Sequence, residues 1–139
     1  MSEYLQFIAE GEPRPQGSKA VGRRKGGGAY VYDVGSDKLK PWRAAMVAAA
    51  KEALERGLFE APYDGPVKVS ATFNFLEVAS DPNREYALKA HDLDKLQRAL
   101  GDALESAGVV TNDSRVVWWD AVKFHNTWEG VSVTVQKLV

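Results

Sequence analysis

Three aspartates, Asp92, Asp94 and Asp113, are of the residue type from which a catalytic metal site is built. Carboxylate oxygens are the ligands that Mg²⁺ prefers in proteins. Residues two apart share a face in extended chain but point about 200° apart on a helix. Asp94 followed by Gln97 is typical of a capping box, with Asp94 as the helix N-cap and Asp92 in extended chain before it. Both carboxylates would then lie at the positive end of the helix dipole, which stabilises their ionised form.

A second interpretation of these acids stays open. Asp94 can act as a helix cap alone, with Asp92 as a solvated acid. A helix of about 13 residues rises ~20 Å, and five or six extended residues span a similar distance, so Asp113 can return to the helix start. Asp113 can equally be a turn residue within 111–114. The spacing therefore permits the cluster of three acids without requiring it.

Basic residues accompany the acids. Arg98 lies one helical turn after Asp94, where it could contact a phosphate or balance the carboxylates. The alternative is a helix ion pair with Asp94 or Asp102, which would contribute only about 0.5 kcal/mol. Lys89 and His91 lie just upstream of the acids, and His91 can also be an ordinary exposed histidine.

Composition indicates one globular domain over residues 1–139, because 45% of the residues are hydrophobic and 27% are charged. There is no cysteine, so a metal would have to be held by oxygen or imidazole ligands. Residues 1–10 lack the basic start and long apolar run of a signal peptide, and no stretch approaches the ~20 apolar residues of a membrane span. The expected location is the cytoplasm, without a membrane partner.

The net charge of −1 hides a strongly basic segment at 13–43, whose own net charge is +6. Such a segment could bind a polyanion while the acidic remainder holds cations. Residues 13–35 form a long glycine-containing loop, interrupted by a strand-like run at 30–32, and we expect it to be mobile without ligand. A solvated basic loop without a partner is the alternative. The basic residues of the segment are Arg14, Lys19, Arg23, Arg24, Lys25, Lys38, Lys40 and Arg43.

Hydrophobic periodicity predicts an α+β fold, with two helices packed on a small mixed β-sheet. The predicted helices are 36–57, with Ser36 as N-cap and the regular part beginning near Pro41, and 93–107, which ends at Gly108. The predicted strands are 4–9 (with Tyr4, Phe7 and Ile8 as its apolar positions), 67–77, 116–124 and 131–139. The last two are predicted to form an antiparallel hairpin through a turn at 126–130. Residues 79–91 show no clear period.

Four tryptophans could stack on DNA bases, but a place in the core or a subunit interface is the favoured interpretation. Trp42 fits the apolar stripe of the first helix. Trp118 and Trp119 are adjacent in a predicted strand, so they must face opposite sides, with one buried and the other exposed for a partner.

Residues 91–104 and 107–117 resemble the RusA family of Holliday-junction resolvases; they read HDLDKLQRALGDAL and AGVVTNDSRVV. The family pattern is an Asp-x-Asp start, a helix ending in Asp-Ala-Leu, a glycine turn, and an acidic pair before a valine-rich strand. Lys95 stands where the family usually has asparagine, Asn112 where an aspartate often occurs, and Arg98 where lysine is commoner. The opening of the chain resembles phage members of the family, through Pro13, Pro15, Gln16, Gly17, Ser18 and Lys19.

The resemblance implies a homodimer that binds four-way DNA junctions and makes paired symmetric nicks in DNA recombination and repair. It implies that Asp92, Asp94 and Asp113 are catalytic and hold one or two Mg²⁺ ions, with Mn²⁺ as a substitute, and that Arg98 assists at the phosphate. It suggests a bacterial cell, or one carrying a prophage, as the setting. The expected DNA contacts are Arg14, Lys19, Arg23, Arg24, Lys25 and Lys89.

Three alternatives to a resolvase remain at the level of sequence. The chain could bind junctions without cutting them, because the basic segment alone supports binding. It could hydrolyse a small phosphorylated substrate, although such an activity would not need the basic segment. It could also be a structural phage protein, in which case the acids are a coincidence.

Overall fold

The computed structural model describes residues 2–17, 19–33 and 36–139; for 19–23, 30–33 and 36 the description covers the backbone. Along the chain the elements are strand β1 (Tyr4–Glu10), strands β2 (Lys19–Arg23) and β3 (Ala29–Asp33), helix α1 (Ser36–Arg56), strand β4 (Val67–Leu76), helix α2 (Leu93–Ser106), a one-turn 3₁₀ helix (Asp113–Arg115), and strands β5 (Val116–Asn126) and β6 (Gly130–Lys137). The α+β class is confirmed. Residues 79–91, in which the sequence shows no clear period, lie outside the helices and strands.

The main sheet has the strand order β1, β6, β4, β5. β6 runs antiparallel to both of its neighbours, β1 and β4, whereas β4 and β5 are parallel. α1 packs on β1, α2 packs on β5, and the two helices contact each other. The core lies between this helical layer and one face of the sheet. The architecture is therefore two helices on a four-stranded mixed sheet, as predicted.

The predicted hairpin of the last two strands is wrong. β5 pairs with β4 and not with β6, because β4 lies between them. In β4 the alternate residues from Val67 to Phe75 are all buried, and a strand with so much buried surface gains most from a neighbour on each side. The connection at 127–129 passes the end of β4, where Asn126 Nδ2 donates to Asn74 Oδ1 at 3.1 Å. At Gly130 (φ +152°) a Cβ would collide with the Ala9 carbonyl, so the crossing needs glycine.

Strand β1 differs from the prediction in the residues that it buries. Leu5, Phe7 and Ala9 face the core, whereas Tyr4 and Ile8 are 52% and 60% exposed. Successive side chains of a strand point to opposite faces, so Phe7 cannot share a face with Tyr4 or Ile8.

Helix α1 begins earlier than its regular part was predicted to begin, near Pro41. α1 is helical from Ser36 and continues through Pro41, where only the bond to the Asp37 carbonyl is lost. The predicted capping role of the Ser36 side chain lies outside the described residues. The predicted end of α2 is confirmed, since Gly108 adopts φ +78°.

None of the helices in the described part of the chain is long and apolar enough to cross a membrane.

The basic loop contains a second, two-stranded sheet. β2 and β3 pair antiparallel, and the turn between them is closed by a hydrogen bond from Arg24 N–H to the Gly28 carbonyl at 3.1 Å. β3 includes the strand-like run that the sequence indicated at 30–32, whereas β2 was not predicted. The basic segment therefore contains an antiparallel hairpin between β1 and α1. Its mobility without ligand stays a prediction.

We expect Leu100→Ala to lower the free energy of unfolding by about 3 kcal/mol, because it leaves a cavity where a fully buried leucine joins α2 to the core. Leu88→Ala is the control, since Leu88 is 59% exposed and its truncation should cost less than about 0.5 kcal/mol. Urea unfolding followed by tryptophan fluorescence measures both. Equal costs for the two variants would contradict the assigned role of α2 in the core.

Candidate active site

Helix α2 turns a polar stripe towards an open cavity of about 450 Å³. The stripe recurs every three or four residues, opposite the buried leucines of the same helix. Gln16, Asp113 and Trp119 complete the cavity from other parts of the chain. The lining residues that α2 supplies are Asp94, Gln97, Arg98, Gly101 and Asp102.

The start of α2 corrects the predicted capping box. Asp92, not Asp94, is the N-cap: its backbone is extended (φ −60°, ψ 133°), and its carbonyl accepts from Leu96 N–H at 3.1 Å. Asp94 lies in the first helical turn. Leu93 packs against the core, which draws residue 93 into the helix and places the cap one residue before it. The expectation that Asp92 is in extended chain is confirmed.

Asp92 and Asp94 therefore point in different directions. Asp94 lines the cavity, whereas Asp92 is not among the lining residues and its side chain is 72% exposed. The Asp92 carboxylate makes no capping hydrogen bond and lies 3.7 Å from Lys95 Nζ. In residues 2–17, 19–33 and 36–139, no three Asp, Glu or His side chains come together closely enough to hold a metal ion. The structure brings together two of the three predicted acids, Asp94 and Asp113.

Asp113 is held in place through its backbone. Its N–H donates to Glu105 Oε1 at 2.8 Å, which ties it to the last turns of α2. Asn112 caps the 3₁₀ helix, with Oδ1 accepting from Ser114 N–H at 2.9 Å. The asparagine that stands in place of a family aspartate thus has a structural role here. Asp113 itself begins the 3₁₀ helix, with its side chain exposed at the cavity.

A second set of contacts anchors the residues on both sides of Asp113. Arg115 Nε donates to Asp64 Oδ1 at 3.1 Å, and the Thr111 hydroxyl donates to the same oxygen at 2.5 Å. The Thr111 hydroxyl, followed by the Arg115 guanidinium, holds the pKa of Asp64 below its usual value. Because the lowered pKa keeps Asp64 ionised to lower pH than an ordinary aspartate, this anchor persists further into acidic solution.

Gln16 is a site residue that the sequence analysis did not single out. Its N–H donates to the Lys95 carbonyl at 3.1 Å, its Nε2 donates to Asp102 Oδ2, and its Oε1 accepts from Arg43. The next residue, Gly17 (φ +102°), lies so close to Arg98 that a Cβ would come within 2.5 Å of Nη1. The segment before the basic hairpin is thus docked directly on α2. In the sequence, the only feature that pointed to Gln16 was its place in the Pro13–Lys19 motif.

Arg98 lines the cavity and has an exposed side chain. It forms no ion pair with Asp94 or Asp102 in the part of the chain that the structure describes, so the alternative of a helix ion pair is wrong. Its guanidinium is therefore available to an anion in the cavity.

The predicted DNA contacts lie in different surroundings. Arg24 and Lys25 are exposed at the turn of the β2–β3 hairpin, whereas the side chains of Lys19 and Arg23 lie outside the described residues. Arg14 is 18% exposed and pairs with Glu12 at 2.6 Å. Lys89 is exposed.

His91 is half-buried, which corrects the alternative of an ordinary exposed histidine. Burial, followed by the charge of Arg14, lowers the pKa of His91, so its ring is neutral at pH 7. A neutral ring does not add to the positive charge beside the acids.

Carboxylates and a guanidinium in one open cavity, beside a basic hairpin, are groups suited to binding a nucleic-acid backbone and to stabilising the charge that develops when a phosphodiester is cleaved. A family model described as endodeoxyribonuclease RusA matches residues 10–136, and the chain belongs to this family. The match includes every residue that lines the cavity. A search of curated proteins found no match. The family is one of nucleases that resolve Holliday junctions.

We expect Glu105→Ala to lower the rate of DNA cleavage roughly tenfold, because Asp113 loses the acceptor that fixes its backbone. Glu105→Gln keeps an oxygen acceptor and should retain most of the rate. Single-turnover cleavage together with equilibrium DNA binding measures the effect, and binding should change less than about twofold. Glu55→Ala, at an exposed position of α1, is the control. If Glu105→Ala cleaves as fast as the wild type, Glu105 does not position Asp113.

Proposed function

We propose that this chain is a Mg²⁺-dependent resolvase, which cuts four-way DNA junctions by paired symmetric cleavage and acts as a homodimer in recombination and repair. The observation that carries the proposal is the convergence of Asp94 and Asp113, from separate elements, on one cavity with Arg98. The homodimer matches the two-fold symmetry of the substrate. The proposed setting is the cytoplasm of a bacterium or of a cell carrying a prophage.

The lining residues fit a hard cation. All of the anionic donors in the cavity are carboxylate oxygens, and the cavity is open to solvent. Mg²⁺ keeps several of its waters and needs only one or two carboxylates together with substrate phosphate, so Asp94 and Asp113 are sufficient as protein ligands. Mn²⁺ accepts the same oxygen ligands. The donor chemistry therefore supports Mg²⁺ without Asp92 in the cavity.

Asp92 stays in the proposed ligand set for two reasons. It begins the helix that carries Asp94, and its carboxylate is not used for capping. Lys95, which replaces the usual asparagine, lies 3.7 Å from this carboxylate and would compete with a cation for it. We therefore propose a weaker contribution from Asp92 than from the two acids of the cavity.

When bound, Mg²⁺ supplies an activated water and neutralises charge on the attacked phosphate. In the proposed reaction Asp94 and Asp113 form the anionic wall of the cavity. Arg98 donates hydrogen bonds to a non-bridging oxygen of the scissile phosphate, where negative charge increases in the transition state. Gln16 holds Asp102 and Arg43 in one network, which keeps the cavity wall ordered.

The basic hairpin is the part of the protein that we propose binds the DNA arms. Arg24 and Lys25 lie at its tip, and contacts of this kind go to phosphates and read no sequence. Lys19, Arg23, Arg14 and Lys89 extend the proposed contact surface. Because Gln16 and Gly17 dock the base of the hairpin on α2, DNA held by the hairpin is directed towards the cavity.

We expect Asp94→Asn and Asp113→Asn each to lower junction cleavage at least about a hundredfold while junction binding persists, because each removes a ligand charge. Asp92→Asn should have a smaller effect. The assay compares a synthetic four-way junction with matched linear duplex, in Mg²⁺ and in chelator. Asp120→Asn, an exposed residue that does not line the cavity, is the control.

The outcomes of this assay separate the candidate functions. Paired nicks in the junction only, and only with metal, support the resolvase. Binding of the junction without cleavage by the wild type would instead identify a junction-binding protein without catalysis. If the wild type neither binds nor cuts the junction, the proposed function is contradicted altogether.

We expect the combined variant Arg24→Ala, Lys25→Ala to bind junctions more weakly and with a shallower dependence on salt, by about one unit of slope for each phosphate that the variant no longer neutralises. Affinities measured over a series of salt concentrations give the slope. Lys51→Ala, on the exposed surface of α1, is the control for removal of positive charge. An unchanged affinity and slope would show that the hairpin tip does not bind DNA.

A further inference from the structure

Strand β5 presents two adjacent tryptophans to opposite sides, as the alternation of a strand requires. Trp118 is 54% exposed, with Lys68 Nζ 4.2 Å from its ring centroid. Trp119 is half-buried and packs partly against the core. The remaining part of Trp119 lines the cavity that contains Asp94 and Asp113. The sequence favoured core or interface roles for these tryptophans, whereas the structure gives Trp119 a place in the candidate active site.

The surroundings of Gly101 show how close the indole lies to Asp113. A Cβ on this residue would lie 3.8 Å from Trp119 Cζ2 and 3.8 Å from Asp113 Cβ. The glycine of α2 therefore faces both side chains across one short gap. Among the described residues that line the cavity, Trp119 is the only aromatic one. The packing of its inner edge against the core holds the ring beside the carboxylates.

The cavity is larger than one phosphate group requires. A phosphate bound near Asp94 and Asp113 carries a sugar and a base on each side, so a base edge or face falls within reach of the cavity wall. Aromatic side chains bind bases by stacking, and they do so with little sequence preference because every base has a π-face. In continuous duplex both faces of each base are already covered. At a branch point the stack is interrupted, and exposing a base there costs less.

We propose that the Trp119 indole is a stacking platform for the nucleobase next to the scissile phosphate. The proposal rests on the proposed function and adds to it a source of selectivity. A base at the point of strand exchange can leave its neighbour and stack on the ring, whereas a base in linear duplex cannot do so cheaply. Trp119 thereby helps the site to recognise branched structure, while the basic hairpin recognises only charge.

The test is a cycle in which the ring and the base are removed separately and together. Trp119→Leu keeps an apolar side chain against the core but has no ring face. On the DNA side, one nucleotide beside the scissile phosphate is replaced by an abasic residue. We expect each change alone to lower single-turnover cleavage about tenfold, and both together to lower it little further, because they remove the same interaction.

Three further variants separate stacking from folding and from a general effect of removing an aromatic ring. Trp119→Phe keeps an aromatic face and should retain most of the rate and of the dependence on the base. If Trp119→Leu does not fold, as judged by urea unfolding, Trp119→Met replaces it in the cycle. Tyr4→Leu, which removes an exposed aromatic ring from β1, is the control and should cleave like the wild type.

The outcomes for this proposal and for the proposed function are distinguishable. Additive losses in the cycle, or wild-type cleavage by Trp119→Leu, overturn the stacking role and leave the resolvase intact. If the wild type binds junctions without cutting them, the proposed function fails, and the same cycle is measured on equilibrium binding in chelator. A coupling between ring and base then still supports the platform, and additivity overturns it.

Discussion

The packing of α2 against the sheet is the interaction on which the rest of the structure depends. Leu96, Leu100 and Leu104 are fully buried, and each such side chain contributes roughly 2 kcal/mol by leaving water. With one face of the helix fixed in this way, the helical period decides the direction of every other residue. Asp94 and Arg98 must then face the cavity. A rotation of α2 large enough to misdirect them would expose leucines and bury charge, and both changes are costly.

The second half of the site depends on how the chain returns after α2. Val109 and Val110 are buried. The Tyr63 N–H donates to the Val109 carbonyl at 3.0 Å, and the Tyr63 carbonyl accepts from Thr111 N–H at 3.1 Å. These hydrogen bonds bring the chain back along the helix to Asp113, which Glu105 then holds. The two carboxylates are therefore carried by a helix and by a tightly anchored turn, and the precision of a site follows from the rigidity of such supports.

Positive and negative charges nearly balance in this protein, but they lie in different regions of the chain. A net charge of −1 gives no indication of nucleic-acid binding, yet the segment 13–43 carries +6. This segment contains the β2–β3 hairpin, and Gln16, which precedes the hairpin, is docked on α2. Basic and acidic regions are thus joined at the cavity. A polyanion attracted by the first region therefore meets the carboxylates of the second, because the docking of Gln16 on α2 places the two regions next to each other.

The sequence by itself determined the elements whose pattern is local. The end of α2, the buried alternation of β4, the candidate acids and the RusA resemblance all follow from residue types at short spacing, because helix and strand periods are properties of neighbouring residues. Only the tertiary structure decided that β4 separates β5 from β6, that Asp94 and Asp113 converge without Asp92, and that Gln16 joins the site. Each of these depends on interactions between residues far apart in the chain. Which of these interactions form depends on how much apolar surface the whole fold buries, and a pattern of neighbouring residues does not contain that information.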